Sequence, residues 1–110
     1  MTIQSIINQR SIVKNLTYYD RQDLIWNCDC SSTEKLVLMA LNHHADENGE
    51  CSPTKQSLEQ KCNITRIGRV TDRLMEKDLI IRINRFADDN AQLSNQYQIL
   101  FDALKPEKAA

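Results

Sequence analysis

Apolar positions follow a helical period from residue 31 to about 77 and then switch to alternation. Ser31-Ser32-Thr33-Glu34 sets a serine three residues ahead of a glutamate, directly before an apolar run, which is the spacing of a capping box. Leu36, Val37, Met39, Ala40 and Leu41 then fill a first helix, expected to end near Asp46 with Gly49 beyond it. Cys51-Ser52-Pro53 reads as a short extended link, because the residue before a proline avoids the helical region. Thr54 can cap a second, short helix over about 55–61, with Leu58 and Cys62 facing inward. A third helix is expected from about Ile64 to Lys77, capped by Asn63 or Thr65. Ile67, Val70 and Leu74, at i, i+3 and i+7, give it a single apolar stripe. The opposite side carries Thr65, Arg69, Asp72 and Glu76, with Arg66 and Arg73 on the flank.

From Leu79 to Phe86 the period becomes two, with Ile81, Ile83 and Arg85 on one face of a strand. The polar run 87–92 forms turns, and Asn95 to Phe101 returns as a partner strand in which Tyr97 and Ile99 alternate with Gln96 and Gln98. Residues 1–30 form an N-terminal arm whose Ile3, Ile6, Ile7, Ile12, Val13 and Leu16 keep neither period. Tyr18, Tyr19, Leu24, Ile25 and Trp26 place a short helix, about Asp20 to Trp26, against the main core. The arm either packs on the first helix or forms a dimer interface. The expected organisation is therefore an arm (1–30), one domain (31–103) and a frayed tail (104–110). The class is α+β, mainly α.

Composition sharpens this picture at one point. A net charge of −1 argues against a polyanionic partner. Between Cys51 and Ala87, however, eight basic residues face four acids, leaving six bases against eleven acids elsewhere. A near-neutral total thus hides a basic block on the second helix, third helix and strands, which is what a phosphate backbone selects. No apolar run approaches the ~18 residues that cross a bilayer. Met1 to Lys14 lacks the pattern of an export signal, so a cytoplasmic setting with reduced thiols and no membrane partner is expected.

Three helices followed by a β-hairpin, with a very short turn between the second and third, is the order of a winged helix-turn-helix. The run from Ser32-Thr33-Glu34-Lys35-Leu36 through His44-Ala45-Asp46 and Gly49-Glu50-Cys51-Ser52-Pro53 sharpens the match, as do Arg73-Leu74-Met75-Glu76-Lys77-Asp78-Leu79-Ile80 and Ser94-Asn95-Gln96-Tyr97-Gln98-Ile99. Together they resemble the helix-turn-helix family common in replication and regulatory proteins of phages, plasmids and mobile elements, over roughly residues 31–101. The chain departs from that family at Asp78, where a glycine is usual before the wing. The turn ahead of the third helix is also about two residues short.

The resemblance implies sequence-specific binding of double-stranded DNA by a small transcriptional regulator or a mobile-element replication or accessory factor. The third helix, about 64–77, would enter the major groove and the wing, about 80–100, would lie on the flanking backbone. Thr65, Arg66 and Arg69 stand on the presented turns, arginine being suited to guanine and threonine to phosphate or a thymine methyl. Arg73, Lys55 and Lys61 are placed as phosphate contacts, and Arg85, Asn84, Arg82, Asn90 and Gln92 as wing contacts. Asp72 and Glu76 oppose the reading by repelling phosphate. The rival is a winged-helix module that binds protein as an adaptor or inhibitor. A homodimer would let two copies read two half-sites.

Cys28, Cys30, Cys51 and Cys62 with His43-His44 invite a zinc reading that their spacing argues against, since zinc sites favour Cys-x₂₋₄-Cys. Cys51 and Cys62 fall where the core wants small apolar residues. His43 and His44 sit at the end of the first helix, where a cation suits the dipole. No metal, no cofactor and no catalytic residue is expected, and the chain carries no enzyme signature.

Overall fold

The computed structural model describes residues 11–86 and 92–104. Ile3, Ile6, Ile7, the turn 87–91 and the tail from 105 lie outside the described residues, as do the side chains of Asn84, Phe86 and residues 92–94. The chain is α+β and mainly helical. Helix α1 is Tyr18–Trp26, α2 Ser32–His44, β1 Glu50–Cys51, α3 Lys55–Cys62, α4 Ile67–Glu76, β2 Ile80–Phe86 and β3 Gln92–Ile99, followed by a 3₁₀ turn Phe101–Ala103.

Three of the helices start on a cap formed within four residues of sequence. Thr17 accepts the Asp20 amide at 3.0 Å while Asp20 Oδ2 accepts the Thr17 amide at 2.9 Å, so α1 begins two residues before the expected Asp20. Ser31 and Glu34 make the expected capping box at 3.2 and 3.0 Å, and Thr54 accepts the Ser57 amide at 3.0 Å. Helix α2 ends at His44, two residues short of Asp46, because Asp46 closes the following turn instead. Its Oδ1 accepts the Asn48 amide at 2.8 Å and the Glu50 amide at 3.1 Å.

The sheet is antiparallel in the order β1-β3-β2. Strand β1 overlaps the expected extended link at Cys51 and pairs Cys51 with Tyr97 and Glu50 with Gln98. In the β2–β3 hairpin Ile80 faces Ile99 and Arg82 faces Tyr97. The ladder shifts register between Ile83 and Arg85. Ile80 is buried, whereas Ile81 is half-buried and Ile83 exposed, so the core takes Ile80 and not the face that carries Ile81 and Ile83. Strand β3 ends at Ile99, and Phe101, expected in the strand, opens the 3₁₀ turn.

One core gathers Val37, Leu38 and Leu41 of α2, Leu58 of α3, Ile67, Val70 and Leu74 of α4, and Ile80 and Ile99 of the sheet. Val13, Ile25 and Cys28 join the same cluster, so the described part of the arm packs on the helical body. Leu104, placed at the start of the tail, is also buried there. Among the described residues no helix is long and apolar enough to cross a membrane.

Candidate nucleic-acid interface

The turn between α3 and α4 sets the geometry of the basic face. Helix α3 closes through Asn63, whose backbone is left-handed (φ 53), with the Asn63 amide on Gln60 O at 3.4 Å and the Ile64 amide on Glu59 O at 3.1 Å. Arg66 is left-handed as well (φ 58) and stands at the N-cap of α4 without a capping side chain of its own. Glu59 supplies the cap from the preceding helix: its Oε2 accepts the Arg66 amide at 2.8 Å and the Ile67 amide at 3.4 Å. A carboxylate on the positive end of α4 satisfies two otherwise orphaned amides. Helix α4 thus begins at Ile67, not at about 64, and neither Asn63 nor Thr65 caps it. Thr65 and Arg66 sit in the turn just ahead of the helix.

A shallow groove of about 530 Å³ opens over this turn. Thr65, Arg66, Arg69 and Arg73 line it together with Thr33 from the first turn of α2, over an apolar floor that includes Ile64 and Val70. The three arginines are exposed, and none pairs with an acid among the described residues. Arg69 and Arg73 on α4 and Arg66 at its N-cap bring three like charges to one groove, where solvent and salt screen them.

The acid that opposed this face is partly neutralised. Asp72 Oδ1 lies 3.1 Å from an Arg82 guanidinium nitrogen, which ties β2 to α4. Arg82, one of the wing candidates, is therefore engaged within the protein. Glu76 stays exposed. At the other end of α4, Lys77 Nζ lies 2.9 Å from both oxygens of the buried Glu34 carboxylate. Desolvation pushes that carboxyl up, but the Lys77 ammonium and the Ser31 donors outweigh it and hold Glu34 below the usual value.

The remaining candidates scatter. Lys55 is exposed at the start of α3 and runs beside Gly68, with Lys61 exposed near its end. Arg85 is half-buried on β2. Asn84 is in the same strand, its side chain outside the described residues, as are Asn90 and the Gln92 side chain. The structure therefore gathers Thr65, Arg66, Arg69 and Arg73 into one groove and leaves Lys55, Lys61 and Arg85 outside its lining. Sequence reasoning missed Thr33 and Glu59. Thr33, half-buried, was visible only as a polar position in a helix's first turn, whereas nothing local marks Glu59 as the cap of the next helix.

His44 corrects the dipole argument. Burial, then the nearby Lys61 and His43 charges, push its imidazole below the ordinary value, so the neutral form is favoured. Cys51 and Cys62 are buried as expected. Burial pushes the Cys51 thiol up to about 12. Burial and then the adjacent Cys28 thiol do the same to Cys30, also to about 12, which keeps it protonated at neutral pH. Among the described residues no group of three or more His, Cys, Asp or Glu gathers to hold a metal ion.

Compared with protein-family models, curated proteins and solved structures, the chain matches none. Its function has to be argued from the groove itself.

Proposed function

We propose that this chain is a winged helix-turn-helix protein that binds double-stranded DNA in a sequence-specific way, as a small transcriptional regulator or a mobile-element replication or accessory factor. In this reading α2, α3 and α4 are the three helices and β2–β3 is the wing. The observation that carries it is the groove in which Arg66, Arg69 and Arg73 stand exposed, none paired with an acid among the described residues, beside Thr33 and Thr65. Arginine forks match guanine edges and phosphates, and the threonine hydroxyls serve the backbone. The turn before α4 and its first two turns carry Thr65 and the arginines, the start of α2 adds Thr33, and the buried stripe Ile67, Val70 and Leu74 anchors α4.

Replacing Arg66 and Arg69 together by alanine tests the proposal. At about 1–3 kcal/mol per base contact, the double variant loses at least roughly 30-fold in affinity for its DNA. Both side chains are exposed, so its far-UV circular dichroism and melting curve stay those of the parent. An unchanged gel shift from a folded double variant overturns the reading.

A second reading has its own observation. Tyr19 and Trp26, seven residues apart on one face of α1, are 75% and 67% exposed, which suits a protein-binding module of the adaptor or inhibitor kind. Salt separates the two. DNA binding weakens steeply with added salt through counterion release, and an aromatic protein contact does not.

A further inference from the structure

A cluster away from the arginine groove carries chemistry of its own. Cys28-Asp29-Cys30 joins α1 to α2, and the Cys30 amide donates to the Cys28 carbonyl at 3.0 Å across a single residue. This tight turn doubles the chain back and brings both cysteines to the wall of one cavity. Both are free, Cys28 buried and Cys30 half-buried. They open on a cavity of about 270 Å³ whose walls include Asp29, Lys77, Leu79, Ala103 and Leu104. Lys77 is held against this wall by its pairing with the buried Glu34 carboxylate.

The donor set selects the ligand. With no third or fourth ligand at hand among the described residues, a tetrahedral zinc ion is left half-coordinated. Two sulfurs alone satisfy a soft monovalent cation that accepts linear two-coordinate geometry, and thiolates prefer cuprous ion over harder metals. Leu79 and Leu104 give the cavity an apolar side, and the Asp29 carboxylate that also lines it is a hard donor that a cuprous ion disfavours.

We propose that Cys28 and Cys30 form a two-coordinate site for a soft monovalent cation of the cuprous class. Each thiol releases one proton and each sulfur donates one lone pair. The product is an S–Cu–S unit of net charge −1 beside Lys77, with two protons passed to solvent and no change in oxidation state.

The test uses the full chain, reduced and kept anaerobic, titrated with cuprous ion against a coloured cuprous chelator. One equivalent is withdrawn from the chelator, and X-ray absorption of the complex reads two sulfur neighbours. Cys30→Ser weakens binding by more than about 100-fold, beyond what loss of an outer hydrogen-bonding partner of a ligand costs, while Cys62→Ser leaves it unchanged. Should Cys28→Ser fail to fold, Cys30→Ser and the absorption spectrum of the parent protein decide alone. Failure of the parent to compete, parental affinity in Cys30→Ser, or three or more neighbours at the metal each overturn the site.

Discussion

Gly49 and Gly68 are the two glycines of the chain, and their surroundings demand opposite things. Gly49 adopts φ +77, and a Cβ there would stand 2.9 Å from Val13 Cγ2 and 3.1 Å from Gln98 Nε2. Gly49→Ala meets both a left-handed backbone and an overfilled core, and is expected to cost about 2 kcal/mol. Gly68 has ordinary helical geometry, and a Cβ there would meet only the flexible end of Lys55, at 3.7 Å. Gly68→Ala is expected to gain up to about 1 kcal/mol from helix propensity. Urea unfolding of both variants checks the pair: midpoints moving in opposite directions support this geometry, and a shared direction contradicts it. The sequence marked Gly49 only as lying beyond a helix, because Val13, which forbids a side chain there, comes from the distant arm. Asp78 was more legible. Its place before Leu79 identified a left-handed position, and it has φ 57, with its amide on Met75 O and the Leu79 amide on Leu74 O, each at 3.0 Å. Those two bonds are the Schellman closure that usually takes glycine.

Helix boundaries were readable where donor and acceptor lie three residues apart. Ser31 with Glu34 and Thr54 with Ser57 are of this kind, and both helices start where the sequence placed them. The start of α4 was not readable, because its cap comes from Glu59, seven residues back and in another helix. A two-residue strand such as β1 holds too few positions to show a period, and only its pairing with β3 defines it. Which face of β2 meets the core was not readable for a related reason: isoleucines stand at 80, 81 and 83, so both faces look apolar until packing selects Ile80. The Glu59 cap yields a prediction at this scale. Glu59→Ala leaves the Arg66 and Ile67 amides without their acceptor and should cost about 1 kcal/mol, the usual worth of an N-cap. The readout is local as well as global, since hydrogen exchange at those two amides should accelerate more than at Leu74. Equal acceleration along the whole helix would show that Glu59 acts on the fold in general and not as a cap.

For the molecule as a whole, the separation of charge matters more than its sum. The basic block was legible by counting, but the pairing of Asp72 with Arg82 and of Glu34 with Lys77 was not, because each joins residues from different elements. The Glu34–Lys77 pair and the partial burial of His44 set how stability responds to acid. Half-buried His44 has its imidazole pushed below the ordinary value by desolvation, with Lys61 and His43 adding to the effect. The unfolded chain therefore takes up that proton at a higher pH than the folded one. The stabilisation from the neutral ring is complete above about 6.5 and is lost as pH falls through the depressed folded value. Glu34 follows the same sign at lower pH, because Lys77 and Ser31 overcome desolvation and hold its carboxyl below the usual 4.5. Its contribution is intact above that value and disappears as the folded carboxyl protonates. Unfolding midpoints measured from pH 8 downward should therefore be flat at first, fall below about 6.5, and fall again below about 4.5. His44→Gln should remove the first decline and Glu34→Gln should weaken the second, each lowering the plateau at neutral pH. A parent protein whose midpoint rises between pH 7 and 5 would mean that the helix dipole, and not burial, governs His44.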